Sequence, residues 1–124
     1  MQPTDHHKVL ARAAQILEHN GIFHGDFIPD PFNRRMTIPD HLRPMSVRAA
    51  LNCAVTGDPR LPSNASWAAL RVLARTVLVK NEPAWSDSIE DAERHVDRWS
   101  DSVPAEYAVH MLRLLSGRAL GVAA

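Results

Sequence analysis

Of the seven histidines in this 124-residue chain, two stand with several carboxylates in one stretch, as His24-Gly25-Asp26 followed by Asp30, Asp40 and His41. Neutral imidazole and carboxylate are suitable ligands for zinc, iron or manganese, and a catalytic metal needs only three of them. The spacing matches no metal motif, because no two histidines stand four residues apart and Cys53 is the single cysteine. The expectation is loop polarity with no metal and no cofactor. His6 and His7 are expected to be solvent-exposed.

Trp85-Ser86-Asp87 is the second group with chemical content. Indole offers a wall to a flat ligand, and the short polar side chains bind a polar edge or cap a helix. Two readings stand. In one, Trp85 plugs the end of a bundle and Asp87 satisfies the first free amides of the following helix. In the other, a pocket forms between this stretch and residues 21–43, with Trp85, Asp87, His24, Asp26 and Phe27 as ligand-binding residues. Arg35 and Arg48 are the candidate contacts for a small anion. Cys53 lies beside an apolar stripe with no histidine near it in sequence, the setting of an inert thiol. No Gly-x-Ser-x-Gly turn and no glycine-rich phosphate loop is present, so no catalytic residue is assigned.

Five amphipathic helices must position these groups. Val9, Leu10, Ala13, Ala14, Ile16 and Leu17 recur at helical spacing behind Thr4 or Asp5 as cap, placing the first helix at 5–19 with Asn20-Gly21 as its end. Residues 21–43 carry two glycines, three prolines and all three phenylalanines, so a regular helix is excluded and the segment is expected to pack on the core. A short strand pair at Ile22–Phe27 and Arg35–Ile38 is compatible with its pattern. A second helix follows Pro44-Met45-Ser46 and stops at Thr56-Gly57. A third runs from Ser63 or Asn64 to about Lys80, a fourth carries Ile89, Ala92, Val96 and Trp99, and a fifth reaches Gly117. The predicted fold is all-α, an irregular bundle of about five helices with a long aromatic and proline-rich loop between helices 1 and 2. It is read as one domain over 1–124, with 1–4 and 118–124 as flexible ends.

Three stretches resemble a family of short uncharacterised actinobacterial proteins classed as a domain of unknown function. They are Leu10 to Gly21 with Phe23-His24-Gly25-Asp26-Phe27, the small-residue run Val47-Arg48-Ala49-Ala50-Leu51-Asn52-Cys53-Ala54, and Trp85-Ser86-Asp87. Where members of that family carry Trp-Asn-Asp, this chain has Trp85-Ser86-Asp87. The resemblance implies a helical fold and no established activity.

Composition bounds the remaining possibilities. Net charge is zero, which provides no global field for nucleic acid, and the arginines at 71 and 75 alone do not make a recognition helix. The apolar runs are too short to span a membrane. Met1 to Lys8 has no secretory pattern, so a cytoplasmic location is expected. Charge is nevertheless segregated: residues 34–75 hold seven arginines against two aspartates, and residues 76–106 hold three cations against eight carboxylates. The halves either face each other within the fold or form complementary contact surfaces. The function is therefore unknown, with a small non-enzymatic binding or accessory domain, acting through a protein partner or self-association, as the leading expectation. A small-molecule or enzymatic pocket between the 21–43 loop and helices 2–4 is the alternative.

Overall fold

A computed structural model describes residues 5–119. Its elements are α1 (His6–Asn20), a 3-10 turn (Asp40–Leu42), α2 (Val47–Thr56), α3 (Asn64–Thr76), α4 (Ile89–Ser102) and α5 (Ala105–Ala119). The fold is all-α, as its apolar spacing predicts. Helix α1 lies centrally, packing most extensively on α5 and also on α2 and α3, while α4 closes against α3 and α2. Its buried stripe is Val9, Leu10, Ala13, Ala14 and Leu17. The alanines at 49, 50 and 54 on α2 and at 69 and 74 on α3 are likewise buried, so the helices meet through small side chains.

The starts of α1 to α4 each have a side chain that accepts an otherwise free amide hydrogen. Asp5 accepts from the His7 amide, Ser46 from Ala49, and Ser88 from Asp91. Ser63 and Ser66 satisfy each other's backbone in a capping box ahead of α3. The buried Ser100 hydroxyl of α4 accepts the Val47 amide at 3.1 Å, so one helix completes the first turn of another. Gly57 ends α2 in the left-handed region at φ 80°, where a Cβ is disfavoured by about 1–2 kcal/mol.

Several expectations are corrected. The strand pair Ile22–Phe27 with Arg35–Ile38 does not form. Ile22 instead makes an isolated parallel bridge to Met45, with the Phe23 amide donating to the Met45 carbonyl at 2.9 Å. Helix α3 stops at Thr76, four residues before Lys80: Val77 is extended, and Lys80 and Asn81 then take left-handed conformations that close a tight hairpin between Val79 and Glu82. Helix α5 passes through Gly117 to Ala119. Of the ends expected to be flexible, 1–4 and 118–124, residues 118 and 119 continue α5, and 1–4 and 120–124 lie outside the described residues. Phe27 packs on the core as expected and Phe23 is half-buried, but Phe32 is 77% exposed.

Candidate functional site

The segment between α1 and α2 is ordered by one buried side chain. Arg43 is 2% exposed. Its Nε donates to the Ile38 carbonyl at 2.7 Å, Nη1 to the Asp30 carbonyl at 2.9 Å, and Nη2 to Asn33 Oδ1 at 2.7 Å. The Asp40 carboxylate lies 3.4 Å from Nη1 and compensates its charge. A guanidinium suits this place because its donors form a planar fork and it never loses its charge.

Asp30 is the opposite pole of the same knot. Its carboxylate accepts the amides of Met36, Arg35 and Arg34 at 2.7, 2.8 and 3.0 Å. The Met36 and Arg35 hydrogen bonds hold its pKa below the ordinary aspartate value, and they outweigh the opposing effect of burial. Phe27, Asp30 and Asn33 all have positive φ, between 52° and 57°. Left-handed backbone at non-glycine residues is unfavourable and persists where its surroundings over-determine it. Here Asp30 and Asn33 are held by the knot, while the Ser46 amide donates to the Phe27 carbonyl.

The outer surface of the knot exposes apolar side chains beside the charged Arg34 and Arg35. Arg60 bridges two of its strands of chain, donating to the Pro31 carbonyl at 3.3 Å and to Asp40 Oδ2 at 3.0 Å. Phe32, Ile38, Leu42 and Leu61 are each next to or close in sequence to a residue tied by Arg43 or Arg60, and each is exposed, by 77%, 47%, 51% and 54% respectively. Leu42 also borders a groove of about 810 Å³ between the ends of α1 and α2, which includes Ile16, His19, His41 and Cys53. The Cys53 thiol is half-buried there, and desolvation, followed by the Asp58 charge, raises its pKa above the ordinary value. A thiol held protonated in this way is a poor nucleophile.

This surface belongs to a chain whose residues 1–117 match the model described as a family of unknown function, DUF6197. The chain is a member of DUF6197. No characterised protein and no solved structure matches it significantly.

In this DUF6197 member, the residues singled out in sequence do not converge. His24 lies at the C-terminal end of α4, its Nε2 donating to the Val103 carbonyl at 2.9 Å. Asp26 is exposed, and Phe27 lies under Arg48, whose guanidinium carbon is 4.6 Å from the ring centroid. Trp85 lies at the other end of α4, where it borders a cleft with Asp91 and His95. Twelve residues separate Asp91 from Val103, which is about 18 Å along a helix. Nor does Trp85 plug the bundle: it is 93% exposed. Asp87 does not cap α4 but pairs with Arg75 of α3, in two contacts of 3.1 Å each, and this pairing lowers its pKa. Ser88 provides the cap.

The candidate anion contacts have other engagements. Arg48 of α2 binds Asp97 through Nε at 3.0 Å and Nη2 at 2.8 Å, and Glu93 through Nη1 at 3.1 Å. Burial is the largest influence on Asp97 and raises its pKa even against the attraction of Arg48. Arg35 is exposed, and its amide is one of those bound by Asp30. The Arg48 and Arg75 pairs join the basic and acidic halves of the sequence within the fold. In the loop, Asp30 and Asp40 are committed to amides and guanidinium groups. The ligand atoms of Asp5, His6 and His7 do cluster within 4.8 Å, at the point where Asp5 already caps α1.

Proposed function

We propose that this domain is a non-enzymatic cytoplasmic binding module whose arginine-stapled loop docks on a protein partner. One observation carries the reading: Phe32, Ile38 and Leu42 remain exposed on a segment that buried Arg43 ties together, and Leu61 is exposed on the neighbouring turn that Arg60 joins to it. An apolar patch on ordered backbone is disfavoured in a free monomer and is a common mark of contact surfaces. Little entropy is then lost when the patch is covered. The surrounding charges favour an acidic partner. Arg34 and Arg35 are exposed on the loop against one exposed carboxylate, Asp26, while its Asp30 and Asp40 are turned to internal donors. The partner's contact segment therefore combines apolar side chains with carboxylates.

A photo-reactive residue at Thr37, between Met36 and Ile38, tests this in native cells, with crosslinked peptides identified by mass spectrometry. The expected product joins the loop to an acidic, apolar segment of one recurrent protein, and the double variant Phe32→Ser, Ile38→Ser abolishes it while the fold persists. Crosslinks only between copies of this chain, or yield unchanged by the double variant, would overturn the proposal. Light scattering of the purified protein separates self-association from binding of a different partner.

A further inference from the structure

The cleft beside Trp85 is independent of the loop surface and has a different chemistry. It has a volume of about 380 Å³ and lies between the Val79–Glu82 hairpin and α4. That volume is at the small end of the range for ligand sites and suits one substituted ring. We propose that it binds a small aromatic anion, with the ring on Trp85, the negative group among Lys80, Arg94 and Arg98, and a ring donor meeting Nδ1 of His95.

His95 gives the cleft a directional contact. The side chain is 6% exposed, and its Nε2 lies 2.7 Å from the Val77 carbonyl. A carbonyl oxygen only accepts, so Nε2 carries the proton and donates it. In the neutral ring Nδ1 then bears a lone pair. Nδ1 has no protein hydrogen bond among the described residues, and His95 borders the cleft. The position of the imidazole is thus fixed by the first residue after α3, and its acceptor remains available.

The remaining walls supply a flat face and a positive charge. Trp85 is 93% exposed, an unusual state for the side chain with the largest apolar surface. Lys80, Arg94 and Arg98 outnumber Glu82 and Asp91 around the cleft. Asp91 is further engaged, its Oδ2 accepting the Ser86 hydroxyl at 2.6 Å and its Oδ1 lying 3.9 Å from Arg94. Lys80 is presented by a two-residue turn in which it and Asn81 have φ of 52° and 66°. Reciprocal backbone hydrogen bonds of 2.9 and 3.0 Å between Val79 and Glu82 lock that turn.

The test is titration of the full chain with 4-hydroxybenzoate and, separately, phenyl phosphate, followed by calorimetry and by NMR of the Trp85 indole and His95 ring signals. Saturable shifts at both residues are expected with at least one probe, and comparison of the two probes tells a carboxylate preference from a phosphate preference. Trp85→Ala, at a site too exposed to disturb folding, should weaken binding about tenfold. The paired variant Arg94→Gln, Arg98→Gln should do the same and remove the preference over uncharged 4-hydroxybenzamide. His95→Phe should reduce affinity for 4-hydroxybenzoate more than for phenyl phosphate, which has no ring donor. Absence of saturable shifts with both anions, equal binding of the amide, or full affinity in Trp85→Ala would each overturn the proposal. None of these outcomes bears on docking at the loop.

Discussion

Replacing Arg43 with alanine removes the donors that satisfy the carbonyls of Ile38 and Asp30 and the amide oxygen of Asn33, and it leaves Asp40 without one of its two guanidinium partners. Loss of one member of a buried ionic network costs about 3–5 kcal/mol, because the groups left behind lose compensation without regaining water. Arg43→Ala should therefore lower the denaturation midpoint strongly, as urea titration would measure. Arg43→Lys should restore little, since an ammonium group cannot reproduce the planar fork. Asp30 responds to pH instead. Its native pKa is depressed, so the folded state favours the charged form. The stabilisation is complete above the unfolded aspartate pKa of about 3.9 and is lost as pH falls through the lower native value. Amide exchange at Arg35 and Met36 should accelerate in that acid window relative to α1, once corrected for intrinsic rates. Asp30→Asn should remove the dependence.

The α2–α4 contact combines packing with a half-buried ion network, and its members should not be equivalent. Arg48→Ala leaves Glu93 and Asp97 facing a surface designed around a cation, and it exposes the Phe27 ring that Arg48 covers. Asp97→Asn removes a charge that burial already disfavours, while Glu93 still pairs with Arg48. Thermal denaturation near neutral pH should show a loss of about 2 kcal/mol for Arg48→Ala and under about 1 kcal/mol for Asp97→Asn. Equal losses would show that the two charges are worth the same in this contact. The helices in this contact were readable from sequence because Val47, Ala50, Leu51 and Ala54 recur at helical spacing, as do Ala92, Val96 and Trp99. The end of α3 was not, since Val77 and Val79 continue the apolar pattern and no glycine marks the turn at Lys80-Asn81. The loop was readable only as a proline-rich interruption. Arg43 in isolation resembles any surface arginine, and its role depends on acceptors 5 to 14 residues away that only the folded chain gathers. The same reason hid the Trp85 cleft. Trp85 drew attention by type, but His95, which borders that cleft with its Nε2 on the Val77 carbonyl, is one histidine on a charged helix until Val77 is brought against it.

At the scale of the whole molecule, the irregular segment is joined to the bundle at both ends and in its middle. Met45 and Gly21 pair through backbone, the Ser46 amide donates to Phe27, and Ile28 and Met45 belong to the same buried cluster as α1, α2 and α4. A loop of more than 20 residues in a small domain is ordinarily the first region to open. Here its opening breaks core contacts and the Arg43 network together. The amides of Phe23, Met45 and Ser46, each bonded across the loop, should therefore exchange with protection close to that of α1 and α2, and the protein should unfold in one cooperative transition. Arg43→Ala should uncouple the two, with fast exchange at Met36 and Ser46 while Leu10 and Leu51 remain protected. Native-state hydrogen exchange followed by NMR measures both. If the wild-type loop already exchanged far faster than the helices, the patch of Phe32, Ile38 and Leu42 would not be preorganised. The entropic argument for its role as a docking surface would then lose its basis.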